Sequence, residues 1–374
     1  MAKVGVAFLL GSVAAAIAAT PTSAQPASYA DYIVVLDKTT GVQARAASVG
    51  QRFGSTVEHT YQAVLSGFSL RLSEDQARTL AAEPGVDYVV RDTPVHALGV
   101  QVNPPSWGLD RIDQRDLPLD GVYRYPNEAP DVTAYVLDTG VSAHPDFAAR
   151  IRPGYDFIGN DTTPTDGNGH GTFIAGIIGG TSYGVAKKIN IVPVKVLADD
   201  GSGSTAGVIA GIDWVTAHAV RPAVANLSLG GSANAALDDA VRRSIASGVS
   251  YAVAAGGSNT DASTFSPARV AEALTIGAST TADCRPSNSN FGAVIDMFAP
   301  GQSITGPWLG GGTQTMSGTS LSAPHVAGAV GMYLQDHPTA SAATVSAALV
   351  AAATPNRLCN VPPGTANRLL YVGP

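Results

Sequence analysis

The chain has 374 residues, 45% of them hydrophobic and 14% charged, which excludes disorder for its bulk and is enough for one sizeable core plus a smaller unit. Its formal net charge of -7, with no run of basic residues, provides no electrostatic footprint for nucleic acid or an anionic membrane. The 41 glycines and 24 prolines are spread between apolar runs rather than set in a repeat, as expected of many turns joining short elements.

Residues 1–24 read as an export signal: Lys3, an apolar stretch from Val4 to Ala19, then small residues ending at Ala24 before Gln25. A membrane anchor is the rival reading, but Gly5, Gly11 and Ser12 interrupt a stretch already short for a span. Cleavage near Ala24 and a secreted, extracellular product are expected. Residues 25–98 form the next unit. Strands are predicted at Tyr32–Leu36, Val57–Tyr61, Phe68–Leu72 and Val86–Arg91, with a helix at Gln43–Phe53 and a second opened by the capping box Ser73–Gln76. The order βαββαβ is a ferredoxin-like α+β arrangement. A unit of roughly 70 residues is marginal alone by surface-to-volume scaling, so it is expected to lean on the rest of the chain.

Gln101–Leu109, QVNPPSWGL, reads as an extended linker turning into the third unit, residues 99–374. There, apolar runs alternate with helical stretches: strands at Val132–Leu137, Ile189–Val196, Ala225–Leu229, Tyr251–Ala255 and Ala273–Ile276, and helices at Phe173–Ile178, Ala206–Ala217 and Ala235–Ser247. Continuously apolar strands separated by helices predict an α/β fold, a parallel sheet with helices on both faces, whose ligand sites form beyond the carboxyl ends of the strands.

Ser317–Gly331, SGTSLSAPHVAGAVG, runs from a Gly-Thr-Ser corner straight into a helix whose stripe is Val326, Ala329, Val330 and Tyr333. Pro324 is expected in the first turn, because deeper in a helix it removes a hydrogen bond. Ser320 therefore lies at a helix start, where unpaired amides and the positive dipole end favour negative charge on an attacked carbonyl. An N-cap serine is the plain alternative. Asp138 ends a buried apolar run in YVLDTGV, where a carboxylate orients a base or simply caps the turn with Thr139 and Gly140. His170 sits between glycines in DGNGHGTFIAG; the alternatives are a base exposed at a helix start and a loop histidine without a role. No HExxH or other helically spaced histidine pair occurs, so a metal hydrolase lacks a ligand set. His325 reads as structural. Cys284 and Cys359 could close one loop, contributing on the order of 4 kcal/mol if bonded.

Asp138, His170 and Ser320, in that order and each in a glycine-rich turn at an element boundary, match the order of a subtilisin triad. With SLGG at Ser228–Gly231, AAG at Ala254–Gly256 and GTSLSAPHVAG around Ser320, the chain resembles the subtilisin-like serine proteases, nearest the proteinase K branch, made with a signal peptide and an inhibitor-like propeptide. The resemblance implies that Ser320 attacks a peptide carbonyl, His170 shuttles the proton and Asp138 orients the imidazole. It implies that Gly201, Ser202 and Gly203, with Ser228, Leu229 and Gly230, are backbone edges for an extended polypeptide. Ala254, Ala255 and Gly256 would then wall an uncharged pocket for apolar or aromatic side chains. It also implies oxyanion stabilisation by the Ser320 amide and by an asparagine whose place here is taken by Gly257. Asp261, Ser266 and Pro267 keep register, so Asn259 does not align with that position. The alternative that follows from Gly257 is a weakened or non-catalytic peptide-binding homologue. The family's calcium site would map to Asp296 and the carbonyls of Ala271 and Ala273, with no catalytic metal. The propeptide is expected to inhibit its own catalytic domain, with Pro94–Leu98 in the cleft and autocleavage between His96 and Val100. A monomer without nucleic-acid or membrane partners is expected.

Overall fold

A computed structural model describes residues 29–37, 41–92 and 99–373, which divide into two units at Val95/His96. The expected signal at 1–24 and the expected inhibitory tail Pro94–Leu98 lie outside the described residues.

In the amino-terminal unit, strands Val57–Tyr61, Gly67–Ser73, Tyr29–Leu36 and Val86–Arg91 stand side by side in that order, all antiparallel. Helices Val42–Phe53 and Glu74–Ala81 complete the ferredoxin-like order. The capping box forms as the sequence predicts: the Ser73 hydroxyl accepts from the Gln76 amide at 3.2 Å, and the Gln76 side chain accepts from the Ser73 amide at 2.8 Å. Val34, Val49, Phe68, Leu70, Leu72 and Leu80 make this unit's core.

The second unit is built on a nine-stranded sheet. Its central strands, in spatial order Leu274–Ser279, Ser250–Ala254, Ala223–Leu227, Thr133–Asp138 and Asn190–Lys195, all pair in parallel. Met297–Pro300 and Arg368–Leu369 extend one edge and Tyr155–Asp156 the other; Thr354–Pro355 joins antiparallel, making the sheet mixed. Alternation along each strand divides the core in two. Ala134, Val136, Val224 and Ala252 face helices His170–Gly179 and Thr319–Asp336, whereas Tyr135, Leu137, Ala225 and Val253 face Thr205–His218 and Ala235–Ala246. Helices thus cover both faces, as the continuous apolar strands require.

Three expectations are corrected. Gln101–Leu109 is no linker: Gly99–Val102 pairs antiparallel with Val122–Tyr125, and Trp107–Ile112 is helical, burying Leu109 and Ile112. The strand expected at Ala225–Leu229 spans Ala223–Leu227, so Ser228 and Leu229 lie past its carboxyl end. Pro324 is the sixth residue of the Thr319 helix rather than in its first turn. The amide it lacks would have bonded the Ser320 carbonyl; the Ser228 hydroxyl does so instead, at 2.6 Å. Apolar periodicity also missed the hairpin Ile304–Pro307/Thr313–Met316 and the helix Ala342–Ala352.

Candidate active site

Asp138 is the last residue of its strand and is fully buried. Its Oδ1 accepts the Thr139 amide at 2.8 Å, so it does cap its turn, and the same oxygen lies 2.7 Å from His170 Nδ1. With the ring proton on Nδ1, His170 donates to this carboxylate and leaves Nε2 as its acceptor. His170 opens its helix after Gly169, whose φ of 107° suits glycine and whose Cβ position lies against Trp308. Gly171 is equally constrained, since a Cβ there would stand 2.1 Å from the Gly140 carbonyl oxygen. Gly171 thus lets the histidine loop close against the aspartate loop.

Asp166, which sequence reasoning passed over, holds the histidine loop from within. Its Oδ1 accepts from the Thr139 hydroxyl at 2.8 Å and from the Asn168 and Gly169 amides, and its Oδ2 accepts the Thr172 amide and hydroxyl at 2.8 and 2.6 Å. The Thr139 hydroxyl in turn accepts the Gly171 amide at 2.9 Å. The available sequence signal was a carboxylate four residues before the histidine with a threonine two after it. Burial disfavours the charged imidazolium of His170, but the Asp138 charge and hydrogen bond, with Asp166 behind them, more than offset it and raise its pKa above the usual 6.5.

Ser320 is the second residue of its helix; the cap is Gly318, so the plain N-cap role is excluded. Its hydroxyl donates to the Ser228 carbonyl at 3.2 Å, and among the described residues it makes no hydrogen bond to His170. The Asn226 side-chain Nδ2 donates to the Ser228 hydroxyl at 2.8 Å, which donates in turn to the Ser320 carbonyl, tying the strand end to the helix start. The Thr319 hydroxyl accepts the Gly256 amide at 3.1 Å. His325 is buried on the same helix, its Nδ1 2.7 Å from the Leu321 carbonyl; burial holds its pKa down at about 4, in keeping with a structural role.

A cleft of about 600 Å³ runs past His170 and is lined by Gly201, Gly203, Ser228, Leu229 and Gly230, together with Asn168 and Met316, which were not anticipated. Ser202 and Ala254–Gly256 are not in that lining; Ala254 and Ala255 are buried and Gly256 is half-buried. Exposed Gly257 borders a separate cavity of about 70 Å³ with Ser317, Gly318 and Thr319, and a Cβ placed on it meets nothing within 4 Å. Cys284 and Cys359 are bonded, with Cα atoms 4.4 Å apart. Among the described residues no group of three or more His, Cys, Asp or Glu is arranged to hold a metal ion. Burial pushes the Asp296 carboxyl up to about 6, against the opposing Thr275 amide and Arg368. Its Oδ2 accepts that amide at 2.7 Å.

Residues 130–369 match the family model described as Subtilase family, and residues 31–98 the one described as Peptidase inhibitor I9. The chain belongs to the subtilase family of serine proteases, with an inhibitor-type domain ahead of the catalytic one. An extracellular serine proteinase of Thermus sp. (strain Rt41A) is 49% identical over 334 residues, 88% of this chain and 81% of the relative. Alkaline serine exoprotease A of Vibrio alginolyticus is 48% identical over 321 residues; the match covers 84% of this chain but 60% of that longer relative. The crystal structure of a cold adapted subtilisin-like serine proteinase superposes with a TM-score of 0.70 at 51% identity, covering 71% of this chain and 97% of that one. None of these matches supports the non-catalytic alternative. No helix among the described residues is long and apolar enough to cross a membrane.

Proposed function

We propose that this chain is a secreted serine endopeptidase whose triad is Asp138, His170 and Ser320. The observation that carries the reading is the 2.7 Å contact of His170 Nδ1 with the buried Asp138, which leaves Nε2 basic on the wall of a cleft that also contains Ser228, the hydrogen-bond partner of Ser320. Rotation about χ1 of Ser320 releases its 3.2 Å bond to Ser228 and turns the hydroxyl toward Nε2. His170 then takes the proton as Oγ bonds the scissile carbonyl carbon. The C=O electron pair moves onto oxygen, which the Ser320 amide, unpaired in the first helical turn, stabilises. His170 returns the proton to the leaving amine, the acyl-enzyme forms, and water, deprotonated by His170, releases it. Asp138 holds the tautomer and balances the imidazolium throughout.

The substrate is an extended polypeptide laid between Gly201–Gly203 and Ser228–Gly230, with apolar or aromatic side chains favoured before the cut because the Ala254–Gly256 segment offers no charge. The amino-terminal domain acts as an intramolecular inhibitor, removed by autocleavage between His96 and Val100, and the mature enzyme is a monomer. Calcium is assigned a structural role at Asp296 with the carbonyls of Ala271 and Ala273. Carboxylate and carbonyl oxygens are the ligands a hard cation takes, and the half-buried Asp296 carboxylate supplies one. Added calcium should raise the Tm of the wild type and leave Asp296→Asn unmoved.

The deciding experiment incubates the mature protein with casein and a peptide library, with and without an organophosphonate, and sequences the products. Cleavage abolished by the reagent, with the label on Ser320, is expected. Absence of both cleavage and labelling would end the proposal, and a mature amino terminus far from His96–Val100 would end the autocleavage assignment.

A further inference from the structure

The segment that carries Gly257 is held by hydrogen bonds rather than by packing of its own side chains. Past Ala254 the strand stops, residues 257–260 are exposed, and Gly256 and Asn259 adopt positive φ values of 97° and 54°. A surface segment with so little packing keeps its position only through hydrogen bonds to something better buried.

That partner is Asn290, which is fully buried. Its Nδ2 donates to the Ala255 carbonyl at 2.8 Å, its Oδ1 accepts the Ser258 and Thr260 amides at 2.9 and 3.1 Å, and its own amide donates to the Gly256 carbonyl at 2.9 Å. One carboxamide thus grips the chain on both sides of Gly257, using donor and acceptor ends at once, which neither a carboxylate nor a hydroxyl can copy in this geometry. Arg285, also buried, grips the next residue along: its Nη1 donates to Asn259 Oδ1 at 3.1 Å and to the Ser289 carbonyl, and its Nε to the Asn360 carbonyl at 2.9 Å. Arg285 follows Cys284, and its amide donates to the carbonyl of Cys359, the other half of the disulfide, at 3.0 Å. On the far side of Cys284, Asp283 pairs with buried Arg111 at 2.7 Å.

We propose that Asn290 and Arg285, anchored by the Cys284–Cys359 bridge, are positioning residues that set side-chain selectivity at the pocket bounded by Ala254–Gly257. The inference rests on the reading of that segment as the wall of the pocket receiving the residue before the scissile bond. Gly257 has open space in place of a side chain, so its stretch of the wall is held through its neighbours: by Asn290 and Arg285, by the Thr319 hydroxyl on the Gly256 amide at 3.1 Å, and by the Asn288 carbonyl on the Asn259 amide at 3.0 Å. Asp138, His170 and Ser320 stand on other elements, so loosening the wall changes which side chains fit far more than it changes the chemistry.

The test measures kcat and KM of the mature enzyme on peptides differing only in having Ala, Leu or Phe before the scissile bond, for Asn290→Ala, Asn290→Asp, Arg285→Ala and the Cys284→Ser/Cys359→Ser pair, each with its Tm. The spread of kcat/KM between best and worst peptide is expected to shrink about tenfold in Asn290→Ala and Arg285→Ala, chiefly through KM. Asn290→Asp, which keeps the acceptor for the Ser258 and Thr260 amides, should fall between wild type and Asn290→Ala, and the cysteine pair should shift the spread in the same direction. A purely structural role would lower Tm and active fraction while leaving the ratio between peptides alone. An unchanged spread in folded variants therefore overturns the inference, and if Asn290→Ala fails to fold, Arg285→Ala and the cysteine pair decide it. A wild type that cleaves none of the peptides would defeat the proposed function instead.

Discussion

At residue scale the proposed mechanism turns on one imidazole and one missing side chain. In the proposed mechanism the neutral His170 ring is the base, and its pKa is raised, so kcat/KM should fall as pH drops through a value above the ordinary 6.5. Asp138→Asn removes the principal charge favouring the imidazolium. Its pH–rate profile should show that acid limb moved to lower pH, with activity at the optimum reduced about 10⁴-fold. Gly257 offers the second prediction. Loss of an oxyanion-hole donor from a subtilisin costs about 10²–10³ in kcat. Because a Cβ at 257 meets nothing within 4 Å, Gly257→Asn should fit without strain and raise kcat by up to about that factor, with KM little changed. An unaltered kcat would mean that another group already serves the oxyanion.

At the scale of elements, the start of the Thr319 helix is stabilised across the sheet rather than within itself. Pro324 leaves the Ser320 carbonyl without its helical donor, and the Ser228 hydroxyl replaces it at 2.6 Å. Ser228→Ala should therefore lower stability by about 1 kcal/mol, and by less in a Pro324→Ala background, where residue 324 regains an amide. A double-mutant cycle in denaturant reads this coupling, and additivity would refute it. A second element-scale prediction concerns the Trp107–Ile112 helix and its cap. Burial raises the Asp113 carboxyl from 3.8 to about 6, partly opposed by the Arg124 amide at 2.6 Å and reinforced by Asp110. Among the described residues, one oxygen of Asp110 and one of Asp113 have no hydrogen-bond partner. Since the folded pKa lies above the unfolded one, protonation stabilises the fold. Stability from this group is fully present below about pH 4, falls as pH rises, and is gone above about 6, a difference of about 3 kcal/mol. Measured with a chelator, so that no cation neutralises the carboxylates, Asp113→Asn should flatten the stability profile between those limits.

At the scale of the molecule, one covalent tie spans 75 residues of sequence, from the Cys284 loop to the carboxyl-terminal segment. In the chain-entropy model such a closure contributes about 4 kcal/mol by restricting the unfolded chain. The Cys284→Ser/Cys359→Ser pair should lose about that much stability to denaturant at constant m-value. A much smaller loss would indicate that the unfolded chain keeps these segments together without the bond.

Read alone, the sequence determined the order of units, the parallel sheet with helices on both faces, the ferredoxin-like arrangement ahead of it, and the three turns that carry Asp138, His170 and Ser320. These are local features: apolar runs of strand length, a capping box, and glycine-rich corners whose residues are adjacent in the chain. It missed the Ala342–Ala352 helix, where near-uniform small apolar residues give no periodic contrast, and it misread Gln101–Leu109, whose strand needs a partner 20 residues away. Only the tertiary structure decided that Asp166 holds the histidine loop, that Ser228 supplies the hydrogen bond Pro324 removes, and that Asn290 and Arg285 hydrogen-bond the residues on either side of Gly257. Apart from the bonds of Asp166 to its own loop, each of those is a hydrogen bond between residues distant in the chain. Its partner is chosen by which buried donor or acceptor the packed core leaves within 3 Å, and no short window of sequence contains both ends.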